Sequence, residues 1–294
     1  MALAVTAPDR RRGRGGATSP TPVKSAAAEL GIPVSERVAD VLGMRLDLGL
    51  VVAFGRLVRP EVLAEVPMVN VHFSLLPRWR GAAPVERAIL AGDATTGVCL
   101  MALEEGLDTG PVHARAATGI GPAETAADLR TRLGELGVGL ALDLLRRWPD
   151  VGEPEPQVGE ATYAAKITVE ELELDWSASA PACLRVVRVG RAWTRFRSRR
   201  LAVRRAELAE GASGRAREDA GGADVADCSG LAGLGSGAHG RRAPGTLVGD
   251  CVVTGDGLVR LVEVQEEGRP AREFSTWARG ARPRDGELLG EGES

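Results

Sequence analysis

Asn70 and His72 stand two residues apart in a short apolar run that reads as a strand, Met68 to Phe73. Side chains alternate between the two faces of a strand, so the amide and the imidazole project from the same face. Side by side, they can hold a carbonyl oxygen as it turns tetrahedral. Four residues separate a second apolar run from Asp108, which stands just before a Thr-Gly turn, where it can reach the same point. An aspartate beside a histidine orients the imidazole or moves a proton, directly or through water. No serine or cysteine in the cluster has the setting of a nucleophile, so the attacking group would be an amine brought by the substrate, or water. Ser74, Leu75, Leu76 and Pro77 close the strand with a Pro-ended turn, and Arg78, Trp79 and Arg80 follow. Plainer readings of the same residues stand beside these. A strand histidine can be a packed core residue, Asn70 can bond its neighbours' backbone, and Asp108-Thr109-Gly110 is an ordinary turn signal.

The elements that must position this cluster alternate. Met1–Thr6 reads as a strand, and a basic Arg/Gly-containing loop follows over Pro8–Pro22. Thr21 can cap a helix with Pro22 at its first position, and Gly31 ends it. Leu48–Phe54 is a continuous apolar run, the pattern of a parallel strand buried on both faces. Pro60–Glu65 and Ala82–Ala91 read as helices, Val98–Leu103 and Val112–Thr118 as strands, and Thr125–Trp148 as a long amphipathic helix. Strands alternating with helices predict an α/β domain with a mostly parallel, doubly wound sheet. Such sheets bind ligands at the carboxyl ends of their strands, which is where Asn70 and His72 lie.

The character changes after Trp148. Val151–Glu160 is rich in Pro, Gly and Glu and reads as loop, and Tyr163–Trp176 as a linker. Beyond Leu184, short strands separated by Gly turns predict a small antiparallel β-barrel. The expected domains are 1–162, a linker over 163–183, and 184–294. The stretch 210–245 inside the second domain is too poor in large apolar residues to order itself and is expected to be a disordered insertion.

Composition narrows the field. A chain of 294 residues has room for about two domains. Two lysines stand against 35 arginines, so the positive charge is guanidinium, suited to phosphate contact. The net charge of −3 excludes a generally basic nucleic-acid coat and confines any RNA contact to local patches. Cys99, Cys183, Cys228 and Cys251 have no C-x-x-C spacing, so they suggest neither a metal site nor a redox motif. The expectation is a reduced cytoplasmic protein with buried thiols and no membrane segment.

The run HFSLLPRWRGAAPVERAILAGD, followed by TGVCLMALEEGLDTG, resembles the methionyl-tRNA formyltransferases within the folate-dependent formyltransferase group. The likeness continues through TPTPVK, TYAAKITVEELELDW and RVGRAWTRF, and spans nearly the whole chain outside 210–245. The resemblance implies a Rossmann-like formyltransferase domain followed by an OB-like β-barrel that binds tRNA. It implies formyl transfer from 10-formyltetrahydrofolate to the amino group of methionyl initiator tRNA, without a metal and by a monomer. By the same resemblance Asn70, His72 and Asp108 fall on catalytic positions, and Ser74, Leu75, Leu76 and Pro77 on the folate-binding turn, with a cis peptide at Pro77. Arg14 falls in the loop that engages the tRNA acceptor end, although Gly16 and Ala17 stand where lysines are common. Arg195 belongs to a second basic segment with Arg185, Arg188, Arg191, Arg197, Arg199 and Arg200. Another folate-dependent formyltransferase, a folate hydrolase using water, and an inactive tRNA- or folate-binding relic remain alternatives. The family opens with a strand, a Gly turn and a helix ahead of the strand that matches Met1–Thr6, so the chain is expected to lack that first unit.

Overall fold

A computed structural model describes residues 1–11, 18–209 and 242–290. Arg14 and residues 210–241 of the expected insertion lie outside them. The chain divides into two units, the first made of Met1–Val85, Thr95–Gly119 and Arg130–Lys166, the second of Glu86–Ala94, Ile120–Leu129 and Ile167 onward.

The first unit opens with β1 (Ala4–Val5). An antiparallel ladder of β2 (Arg10–Arg11) and β3 (Thr18–Ser19) follows. Then come α1 (Pro22–Glu29) and β4 (Val34–Ser35), the latter parallel to β1. Thr21 caps α1 as its sequence predicts: its hydroxyl accepts from the Lys24 N–H at 3.2 Å, with Pro22 in the first turn.

The main sheet joins β5 (Gly49–Val52), β6 (Met68–His72), β8 (Thr95–Ala102) and β9 (Val112–Gly119), in the order β5-β6-β8-β9. In sequence α2 (Pro60–Glu65) falls between β5 and β6, α3 (Pro84–Ala91) between β6 and β8, and α4 (Ala126–Arg147) after β9. Two short strands, β7 (Arg80–Gly81) and β10 (Tyr163–Ala164), pair in parallel away from it.

The expected mostly parallel sheet is in fact mixed. Only β5–β6 is parallel, while β6–β8 and β8–β9 are antiparallel. A parallel neighbour needs a crossover of about a dozen residues or more, and the helix-free loop at 103–111 between β8 and β9 is too short. The strand expected to be buried on both faces also differs: Leu50 is 41% and Val52 52% exposed. Among the described residues β5 is laddered to β6 and β1 to β4, and the two are not paired with each other.

Burial centres on β8, where Val98, Cys99, Leu100 and Met101 are fully buried. Leu76, Cys99, Met101 and Val112 form one apolar cluster, directly beneath the turn that follows β6.

The second unit carries α5 (Ala180–Val189), β11 (Trp193–Phe196), β12 (Arg199–Leu208), β13 (Leu247–Val248), β14 (Cys251–Val253), β15 (Leu258–Glu266), β16 (Arg272–Glu273) and α6 (Phe274–Ala281). The sheet order is β11-β12-β15-β14-β13, with β16 on β15, and every pair is antiparallel. Among the described residues β11 and β13 do not meet, so the sheet is open rather than the closed barrel expected. Trp176, Val203, Val252, Leu261 and Trp277 belong to its core.

Cys99, Cys183 and Cys251 are buried, as expected, and Cys228 lies outside the described residues. Burial pushes the Cys99 and Cys183 thiols up, the latter to about 11. No described helix is long and apolar enough to cross a membrane.

Candidate active site

Strand β6 ends at His72, and three chain segments of the first unit meet around that side chain. The imidazole is 5% exposed. Its Nε2 lies 2.8 Å from the carbonyl oxygen of Trp79. A carbonyl only accepts, so Nε2 carries the proton of that bond. The other nitrogen, Nδ1, faces the Asp108 carboxylate with Oδ2 3.6 Å away, too far for a direct hydrogen bond. Nδ1 and the carboxylate therefore flank a position that a third group can share.

Asn70 stands two residues earlier on the same face of β6, cross-strand from Met101, while His72 is cross-strand from Cys99. Among the described residues no protein group is hydrogen-bonded to the Asn70 amide, so the reading in which it bonds its neighbours' backbone does not hold. It is a polar donor at a strand end, available to a ligand.

The turn after β6 is built inward. Ser74 is fully buried, and its hydroxyl donates to the Arg78 carbonyl at 2.5 Å, closing the loop over Ser74–Arg78. Leu76 is buried against β8 and β9, and the Leu76–Pro77 peptide is cis. The side chains of Ser74 and Leu76 are thus committed to the protein, while Leu75 and Pro77 are partly exposed, Leu75 with its branched end beside Gly97 of β8. The guanidinium of Arg78 lies over the Trp79 ring at 4.5 Å.

Asp108 is 11% exposed. Its Oδ2 accepts from the backbone N–H of Gly81 at 2.7 Å. Its φ is 51°, in the left-handed region that an Asp tolerates better than most residues. The stretch 155–164, which reads from sequence as loop and linker, supplies much of the framework. Thr162 accepts the Trp79 N–H on its hydroxyl at 2.9 Å, and its carbonyl accepts the Arg80 N–H at 2.8 Å. Glu155 exchanges backbone bonds with Val112 at 2.7 and 2.9 Å. Residue types alone do not point to Trp79, Gly81 or Thr162 as neighbours of the site, because two of them act through the backbone.

Gly81 is required by this geometry. Its φ is +117°, and a Cβ there would meet the Ala164 carbonyl oxygen at 2.9 Å. Gly81→Ala is therefore expected to cost roughly 1–3 kcal/mol, the usual cost of a disallowed backbone state, and to pull its N–H from Asp108. A melting curve checks this. An unchanged midpoint would show that the loop adapts freely.

The second basic segment lies in the second unit. Arg195 is 42% exposed, lies 5.3 Å from the Trp193 ring centroid and pairs with Glu173 at 3.5 Å. Arg200 lies over the same ring at 4.5 Å. Trp193 itself is buried and donates its indole N–H to the Val169 carbonyl at 2.9 Å, so it is core rather than a stacking platform. Arg188 bonds the carbonyls of Gly121 and Glu124, both at 2.8 Å, and burial lowers its pKa. Arg197 is held by Glu287 at 2.6 Å. Both guanidiniums of this basic segment are thus engaged by protein acceptors. No group of His, Cys, Asp and Glu among the described residues could hold a metal ion.

A sheet with an amide, an imidazole and a carboxylate gathered at one strand end is suited to stabilising a carbonyl oxygen and moving a proton. Residues 1–144 match the family described as formyl transferase, and residues 166–282 match its C-terminal domain. The methionyl-tRNA formyltransferase of Roseobacter denitrificans is 38% identical over 98% of this chain and 90% of its own length. That of Paracoccus denitrificans is 40% identical over 91% of this chain and 86% of its own length. The fold is shared with HypX from Aquifex aeolicus, solved in complex with tetrahydrofolic acid, at a TM-score of 0.57 and 20% identity over 86% of this chain; the chain spans only 43% of that protein. The chain belongs to the methionyl-tRNA formyltransferase family.

Proposed function

We propose that the protein transfers the formyl group of 10-formyltetrahydrofolate to the amino group of methionine carried on initiator tRNA, in the cytoplasm where translation starts. The observation that carries this reading is the gathering of Asn70, His72 and Asp108 at the end of β6 in a chain of this family. The substrate amine attacks the formyl carbon. The electrons of the C=O bond move to oxygen, which the Asn70 amide and a proton on His72 Nδ1 stabilise, while the Nε2–H stays on the Trp79 carbonyl. As the bond from the formyl carbon to the folate nitrogen breaks, that nitrogen takes up the proton released by the amine. Asp108 relays it. No oxidant, metal or outside water enters the balance.

In this reading the folate lies against the Ser74–Leu75–Leu76–Pro77 turn. The inward commitment of Ser74 and Leu76 assigns its recognition to backbone groups and to Leu75 and Pro77. Residues 1–162 form the Rossmann-like catalytic domain, 163–183 the linker and 184–294 the antiparallel tRNA-binding domain; family matches over 1–144 and 166–282 support two domains, the second match beginning within the linker. Arg14 and Arg195 contact tRNA. Removing one arginine from a phosphate should lower the salt slope of RNA binding by roughly 0.7–0.9. Arg195→Ala is therefore expected to weaken tRNA binding and flatten its salt dependence, and an unchanged slope and affinity would remove Arg195 from the interface.

Incubation with 10-formyltetrahydrofolate and charged initiator tRNA tests the whole reading, with formyl label in the tRNA fraction as the expected result. Label released as formate, with or without tRNA, would favour the hydrolase. No transfer and no release would favour a relic.

A further inference from the structure

Gln157 sits in the Pro/Glu-rich stretch between the two family matches, away from the reacting atoms of the proposed transfer. Its side-chain amide is nevertheless used at both ends. Nε2 donates to two backbone carbonyls, those of Asp108 and Gly110, each at 2.8 Å. Oε1 accepts from Arg80 twice, from Nε at 3.0 Å and from Nη2 at 2.6 Å. Arg80 is the neighbour of Gly81, whose N–H holds Asp108 Oδ2. The amide therefore closes a ring: Asp108 carboxylate to Gly81, Arg80 to Gln157, and Gln157 back to the Asp108 main chain.

Asp108 needs this support. Its left-handed backbone is one that L-residues leave readily unless neighbours fix it. Gly110 adds a second constraint, since its Cβ position is occupied by the Ala102 carbonyl. Only an amide side chain meets the demand at residue 157, because it must donate two N–H bonds on one side and accept a guanidinium on the other.

We infer that Gln157, locked by Arg80, is a positioning residue that holds the Asp108 carboxylate against His72 for proton transfer. The inference rests on the formyl-transfer reading of the same site. Gln157 acts through Asp108 and touches neither substrate.

Gln157→Ala removes all four bonds. Gln157→Glu keeps an acceptor for Arg80 but sets a carboxylate oxygen against two carbonyls, so it reads the donor half alone and serves should the alanine variant not fold. Both are expected to lower kcat by roughly 10²-fold, the scale of an ångström-sized misplacement, with KM for folate and tRNA unchanged. In an Asp108→Asn background the Gln157→Ala change is expected to cost nothing further, as for residues acting as a unit. An equal loss in both backgrounds, a rise in KM alone, or a normal kcat would overturn the proposal.

A second readout needs no turnover. The 15N signals of the His72 ring, identified by their loss in His72→Gln, are expected to move in Gln157→Ala at fixed pH while the rest of the spectrum keeps its dispersion. Unmoved signals would overturn the clamp. If the wild-type chain fails to formylate charged tRNA, the formyl-transfer reading falls, and the ring signals still decide the clamp.

Discussion

Single-turnover formylation by His72→Ala is expected to fall by roughly 10²–10³-fold, the usual cost of removing one donor from an oxyanion site, with folate and tRNA binding retained. The ring is buried and its Nε2 is anchored on the Trp79 carbonyl, so its orientation is set before substrate arrives. That preorganisation puts the effect on the rate rather than on affinity, because the oxygen gains charge only in the transition state. The substitution also leaves the Trp79 carbonyl without this partner, so a melting curve must accompany the kinetics. Asn70→Ala gives the cleaner comparison. Its amide has no protein partner among the described residues, and its loss is expected to reduce the rate on a similar scale without moving the melting midpoint. Near-normal rates in both variants, with folate bound as in wild type, would return the pair to an ordinary place in the sheet.

Asp108→Asn is expected to lower the rate by roughly 10²–10⁴-fold, the range for a group that moves a proton in the transition state. The choice of asparagine matters. Its side-chain oxygen can still accept the Gly81 N–H, so the loop keeps its shape while the charge beside His72 disappears. A rate profile measured across the whole working pH range separates the possibilities. If the variant runs at the wild-type rate throughout, Asp108 serves the turn and nothing else. If the loss is accompanied by a lower melting midpoint equal to that of Gly81→Ala, the loop rather than the charge is at fault.

Much of this site is legible in the order of residues. Asn70 and His72 share a face because strand side chains alternate, and the observed β6 keeps them so. Thr21-Pro22 carries helix-start chemistry within a few residues, and α1 begins there. The SLLP turn, the downstream Asp108 and the family resemblance are all readable. These features are local, decided by periodicity of two or 3.6 residues and by caps and turns.

What the sequence does not decide lies between segments far apart in the chain. Nothing in the run VGEPEPQVGEATY marks Gln157 or Thr162 as supports of a loop roughly eighty residues before them, because hydrogen bonds to backbone groups leave no pattern in side-chain types. Strand direction escapes the sequence for a related reason. Alternation with helices suggests parallel neighbours, but direction is settled by which strands pair and how long their connections are, and the β8–β9 loop allows only an antiparallel return. Arg188 and Arg197 read as surface charge from composition, yet each is bound by partners distant in sequence. Local chemistry names the candidate groups. Their distances, their partners and the face they share with a ligand are set by long-range pairing, which exists only once the chain has folded.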